Sequence, residues 1–204
     1  MENDQPFEEI SNSLKRATAA LREASVPFLL GGSLASWARG GPETRLDLDL
    51  MVKSEEAERA LEVLADAGMR PERPPEGWLY KAWDGDVLVD LIFAPKGIEM
   101  TDEVIARGQQ REVLGIEVRV MALEDVLATK LLALDEHSLD YSTILQIVRA
   151  LREQIDWQEL RRRTGDSPFA KAFFVLVEEL GVAHTSAGSG SEGRARVRVI
   201  SPGG

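Results

Sequence analysis

Seven residues, Leu46-Asp47-Leu48-Asp49-Leu50-Met51-Val52, set two carboxylates into a segment that otherwise reads as a buried strand. On an extended chain residues i and i+2 share a face, so Asp47 and Asp49 are predicted to project together while Leu46, Leu48 and Leu50 turn to the core. A third acid, Asp90, interrupts another apolar run, Val87-Leu88-Val89-Asp90-Leu91-Ile92-Phe93. A buried carboxylate without a partner is costly, and two that point the same way raise each other's pKa. The fold must therefore bring a cation or hydrogen-bond donors to these strands. A bare Asp-x-Asp reads as two solvated acids at a strand end; the third acid turns the pattern toward a metal site.

Fourteen residues separate Gly32 from Asp47, and the glycine closes a second apolar run, Phe28-Leu29-Leu30-Gly31-Gly32-Ser33. Glycines at such a turn let a phosphate approach the main chain. Ser33 is predicted to cap a short helix over 34–39, whose first amides and hydroxyl would face an anion. The plain alternative is a tight strand-to-helix turn, and the glycine turn gains weight because its strand should lie beside the acid-bearing one. Mg²⁺ (or Mn²⁺) suits carboxylate and phosphate oxygens together. Arg39 and Arg45 are near enough in sequence to assist with phosphate charge, or to be solvated arginines.

Apolar periodicity places a first helix over 7–25, with Ile10, Leu14, Ala17 and Leu21 on one face. Strands are expected at 26–30, 46–52, 78–83 and 87–94, the last two joined by the hairpin signal Asp84-Gly85-Asp86. Ser54 is expected to cap a helix running to Ala67, and residues 71–75 read as a turn rich in proline. A helix near 101–107 and a hairpin over 112–120 follow. Beyond Ala122 the strand signals cease, and helices are expected at 123–136, 139–153, 156–164 and 168–180. The fold class is α/β (α+β): a small mixed β-sheet core with flanking helices over 1–121 and a C-terminal helical region over 122–183. The stretch 184–204 is small, polar and arginine-dotted, and is expected to be a disordered tail.

Whole-chain composition excludes several function classes. There is no cysteine among the 204 residues, so disulfides, thiol catalysis and Cys-based zinc sites are absent. The acidic, polar start carries no secretory signal and no apolar stretch approaches the roughly 20 residues that span a bilayer, so the cytoplasm is the expected compartment. A net charge of −11 opposes non-specific binding to DNA or another polyanion. Arg161-Arg162-Arg163 and Arg194, Arg196 and Arg198 are the basic clusters that could meet RNA. His137 and His184 are isolated. Trp37, Trp78, Trp83 and Trp157 read as packing residues, with Trp78 or Tyr80 near enough to the acid-bearing sheet to line a pocket.

Gly32-Ser33, thirteen residues, Asp47-x-Asp49 and the later Asp90 resemble the signature of the polymerase-β-like nucleotidyltransferases. The run Leu123-Glu124-Asp125-Val126-Leu127-Ala128-Thr129-Lys130-Leu131-Leu132-Ala133-Leu134, with Asp140-Tyr141 after it, looks most like the branch of the AbiEii-type toxins and the small antibiotic nucleotidyltransferases. The resemblance covers about residues 26–150 and departs from the pattern at Leu46 and at His137-Ser138-Leu139. It implies catalytic, metal-holding roles for Asp47, Asp49 and Asp90, and nucleotide contacts from Gly31, Gly32, Ser33 and Lys130. The lysine is implied to reach the triphosphate, and the acid before it to aid catalysis or hold the helices. The substrates implied are a nucleoside triphosphate and a hydroxyl acceptor, whether small molecule, RNA or protein; a toxin would add a cognate antitoxin. Lys130 sits among leucines and needs a partner, and an ion pair with Asp125 or Asp135 is the structural alternative. A catalytically silent nucleotide- or partner-binding module is the alternative function, disfavoured by three intact acids.

Overall fold

The computed structural model describes residues 5–42 and 47–183. Arg45, Leu46, His184 and the arginines at 194, 196 and 198 lie outside the described residues, as does the expected tail. The chain runs α1 (Gln5–Glu23), β1 (Phe28–Leu30), α2 (Gly32–Trp37), β2 (Leu48–Val52), α3 (Ala57–Asp66), β3 (Arg70–Glu72), β4 (Leu79–Asp84), β5 (Val87–Ile92), α4 (Asp102–Arg107), β6 (Gln109–Val113) and β7 (Ile116–Val120). Four further helices complete it: α5 (Leu123–Ala133), α6 (Ser142–Leu151), α7 (Trp157–Thr164) and α8 (Pro168–Glu179).

Seven strands form one mixed sheet in the order β3-β4-β5-β2-β1-β7-β6. The pairs β2–β5 and β1–β7 are parallel, and the remaining neighbours are antiparallel. Central β1 and β2 are almost wholly buried, which suits sequences that are apolar but for Asp49. The apolar face of α1 covers the sheet through Ile10, Leu14, Ala17 and Leu21, the face expected from its periodicity.

Three local differences from the sequence expectations have simple causes. The strand β3 falls in the proline-rich stretch that read as a turn. All three of its residues are exposed, so no apolar alternation marks it, and Pro71 is tolerated because the strand lies at the sheet edge. Ser54 does not cap a helix with its side chain; its hydroxyl donates to the Phe93 carbonyl at 3.0 Å, and a 3₁₀ turn over Ser54–Glu56 precedes α3. Between α5 and α6 the chain leaves the helix earlier and re-enters later than expected. The Asp135 carboxylate accepts from the amides of His137 and Ser138, and Asp140 accepts from that of Ser142. Such aspartate turns compete with helix for the same donors.

Two apolar clusters form the interior. One lies over the sheet and reaches Val126, and the other gathers Leu123, Leu127 and Leu131 with α6, α7 and α8. Helix α5 therefore serves both. Asp125 on this helix is fully buried, and it is met by Arg107 at the end of α4, at 3.2 Å, and by Arg163 of α7. Its neighbours in sequence are also committed: Arg161 pairs with Glu178 and lies 4.2 Å over the Phe174 ring, and Arg162 pairs with Glu159 at 2.6 Å. Each arginine of the triple is thus paired within the fold.

Stripping one partner from a buried ion pair leaves an uncompensated charge. Arg163→Met should lower unfolding free energy by about 3 kcal/mol, the lower end of the range for such a loss because Arg107 remains. Denaturant unfolding reads this as a lower midpoint at unchanged slope, and an unchanged midpoint would refute the buried-ion account.

Candidate active site

The parallel pairing of β2 with β5 sets Leu48 opposite Val89, Asp49 opposite Asp90, and Leu50 opposite Leu91. The leucines and Val89 are fully buried on one face of the sheet. Alternation then puts both acids on the other face, side by side on neighbouring strands. Asp47 stands one residue before β2 begins and is exposed. The pair that the fold brings together is therefore Asp49 with Asp90, and Asp47 acts on both of them as a nearby negative charge.

The glycine turn closes over Asp49. The Gly31 amide donates to the Asp49 carbonyl at 2.8 Å, tying the turn to the strand. Gly32 has φ +56°, and a Cβ at this position would fall 1.6 Å from the Asp49 Oδ2. Both the left-handed angle and the contact disfavour a side chain here, since one would displace the Asp49 carboxylate. Gly31, with no side-chain cap, takes the cap position of α2, so Ser33 is not the cap but lies within the first turn. Its amide donates to the Asp49 carboxylate. Its hydroxyl faces the Lys130 Nζ, 3.4 Å away on α5. Lys130 thus points to the glycine turn, and neither Asp125 nor Asp135 is its partner.

Burial lifts the Asp49 carboxyl to about 6, with the Asp90 charge next in weight and Asp47 adding to it; the Lys130 ammonium and the Ser33 amide pull the other way. Asp90 is also raised, first by burial, and the Lys81 ammonium 3.7 Å from its Oδ1 opposes the shift. At that distance the contact is an ion pair without a hydrogen bond, and Oδ1 remains buried with no hydrogen-bond partner. Burial lowers the Lys130 pKa, against the pull of Asp49. Lys81 was missed by sequence reasoning, yet its position was legible. The turn Gly85-Asp86 joins Asp84 to Val87, and counting back along both strands sets Lys81 opposite Asp90.

Asp49, Gly32 and Lys130 share the wall of a cavity of about 640 Å³, whose remaining lining includes Met51, Trp78, Ile92 and Lys96. Among the described residues no three His, Asp or Glu side chains gather into a metal-binding group. The donor set nevertheless fits a hard divalent cation: two carboxylates in register, one with an orphaned buried oxygen, and no soft ligand. Arg39 does not face this site. It is buried and donates to the Ala35 and Met121 carbonyls, binding α2 to the end of β7.

The Asp49 shift gives a stability signature in metal-free protein. The unfolded chain loses this proton near 3.8 and the folded chain only near 6, so the folded state holds more protons between those values. Stability should then fall as pH rises through that window and level off above it. Asp49→Asn removes the charged form, so the variant should exceed the wild type by about 3 kcal/mol at pH 7.5, the difference closing toward pH 4. Denaturant titrations in chelator across pH 4–8 read that difference; a constant offset would contradict the shift.

Residues 7–185 match the model of a family described as uncharacterised nucleotidyltransferase. Among solved structures, the chain is similar to an antibiotic-resistance factor, ANT(2'')-Ia, in solution, with 18% identity and TM-score 0.56 over 89% of this chain and 99% of that one. A crystal structure of ANT(2'')-Ia in complex with adenylyl-2''-tobramycin matches at 20% identity and TM-score 0.58, covering 80% and 98% respectively. These likenesses extend to the fold. No protein of curated function gave a significant sequence match.

Proposed function

The chain belongs to this nucleotidyltransferase family, and on that premise we propose that Asp49 and Asp90 form a metal-dependent centre for nucleoside monophosphate transfer from a nucleoside triphosphate to a hydroxyl acceptor. The observation that carries this is the register of Asp49 with Asp90, with Asp49 beneath the Gly32 turn in a cavity it shares with Lys130. A Mg²⁺ or Mn²⁺ ion held by Asp49 and Asp90, with Asp47 close by, would neutralise triphosphate charge and make the acceptor hydroxyl more acidic. The chain's own residues do the positioning. Gly31 and Gly32 keep side chains out of the phosphate path, Ser33 offers its hydroxyl, and the Lys130 ammonium supplies positive charge where the protein as a whole has little. Asp90 accepts the hydroxyl proton as the acceptor oxygen bonds to the α-phosphorus and pyrophosphate departs. Positioning and charge complementarity supply most of the rate in such a transfer.

The acceptor class favoured here is a small hydroxylated molecule. The product named in the crystal structure of the ANT(2'')-Ia fold is a nucleotidylated small molecule, and the α7 arginines that could have met RNA are paired within this fold. Nothing in the fold or the comparisons lends support to a toxin role or to an antitoxin partner. No described helix is long and apolar enough to cross a membrane.

Incubation with labelled nucleoside triphosphates, Mg²⁺ and a metabolite extract should release pyrophosphate and label a small molecule, both lost in chelator. Asp90→Asn should abolish the release while the variant stays folded; full activity in that variant would sink the assignment. Lys130→Met keeps the stem and removes the ammonium. Calorimetric titration should show nucleotide affinity weakened by roughly tenfold or more, as for a charge-assisted hydrogen bond, with melting temperature without nucleotide unchanged or raised. Lost stability with intact affinity would make Lys130 structural.

A further inference from the structure

Trp78 stands out among the aromatic residues because it has no structural task. It is 42% exposed and belongs to neither apolar cluster. Trp83 donates its indole N–H to Glu72 and lies under Arg70, and Trp157 donates to the Arg152 carbonyl. The Trp78 indole makes no such contact among the described residues. Its backbone, in contrast, is held firmly: the carbonyl accepts from the amides of both Phe93 and Ala94, at 3.1 Å each. A large flat apolar side chain is thus fixed at its root, exposed at its face, and lines the cavity that also contains Asp49 and Lys130.

The polar groups of that cavity are distributed unevenly. Asp49, the Gly32 turn and Lys130 lie together at one end, joined by the Lys130–Ser33 contact. Around Trp78 the lining is Ile92, Ala94 and Pro95. The Ala94 amide is already used by the Trp78 carbonyl, and Pro95 has no amide hydrogen. Lys96 is the polar side chain on that stretch; it is exposed, makes no ion pair among the described residues, and ends in a mobile point charge. Of the remaining lining side chains Thr129 is polar, and its hydroxyl already donates to the Val126 carbonyl at 2.9 Å.

Resting on the nucleotidyl-transfer reading above, we infer that Trp78 is the platform on which the nucleobase of the incoming triphosphate stacks, and that the base is held by its face with little reading of its edge. Every base has a π-face, so stacking is tolerant of base identity. Strong discrimination needs buried polar groups that are left unpaired by the wrong partner, and the side chains of Ile92, Ala94 and Pro95 offer none. The enzyme accordingly accepts several nucleoside triphosphates with similar affinity.

Equilibrium binding of ATP, GTP, CTP and UTP, with Mg²⁺ and the full chain, tests this, with inorganic triphosphate as the probe that lacks a base. The four nucleotides should bind within about tenfold of one another. Trp78→Ala should weaken all four by roughly tenfold or more, Trp78→Phe should retain most of the affinity, and triphosphate binding should be the same in all three proteins. One nucleotide preferred by a hundredfold, or Trp78→Ala weakening triphosphate as much as nucleotide, would overturn the platform while leaving nucleotidyl transfer standing. Failure of both triphosphate and nucleotides to bind wild-type protein would overturn the transfer reading and the platform with it.

Discussion

Two carboxylates repel each other across the seam between β2 and β5, and the surrounding chain is arranged to contain that repulsion. The parallel register fixes it: a slip of one residue would carry Asp49 into the apolar face and expose Leu48 or Leu50 in its place. Burial then sharpens the electrostatics. Asp47 adds to the charge, and the groups that offset it are the Ser33 amide, the Lys81 and Lys130 ammonium groups, and the space left by the missing Cβ of Gly32. A seam held in this way presents its charge to a ligand without first having to reorganise, which is how preorganised sites gain their strength.

Much of this was readable from residue order. The apolar period of α1, the strands that carry Asp49 and Asp90, the glycine turn before them and the C-terminal helical region all follow from local patterns, because each buries a face whose period is visible. What was not legible depends on pairing. Asp47 acts on Asp49 as a neighbouring charge, but Asp49 also meets Asp90 through a sheet register that no local pattern states. Ser33 looks like a helix cap, but Gly31 takes that place because the turn is drawn back onto the Asp49 carbonyl. The exposed edge strand β3 has no period to read. Lys130 was correctly singled out for needing a partner, and its partner lies 97 residues away in sequence on the glycine turn.

The buried Asp125 illustrates the same limit from another side. In sequence Arg161-Arg162-Arg163 is a basic run of the sort that meets polyanions. In the fold Arg161 pairs with Glu178 and Arg163 with buried Asp125, joining α7 to α8 and α5, while Arg162 pairs with Glu159 on its own helix. Charge density along a chain is informative about partners only when the charges are free, and freedom is a tertiary property.

Helix α5 has a further consequence. Its Leu127 and Leu131 are packed among the C-terminal helices, Val126 belongs to the sheet cluster, and Thr129, Lys130 and Ala133 form one wall of the cavity. The pocket is therefore not a property of the sheet alone. An engineer seeking a minimal version of this protein could not cut after residue 121 and keep the pocket, because the wall opposite Asp49 would leave with the part discarded. Any insertion that shifts α6, α7 or α8 would likewise be felt at Lys130 as a change in reach.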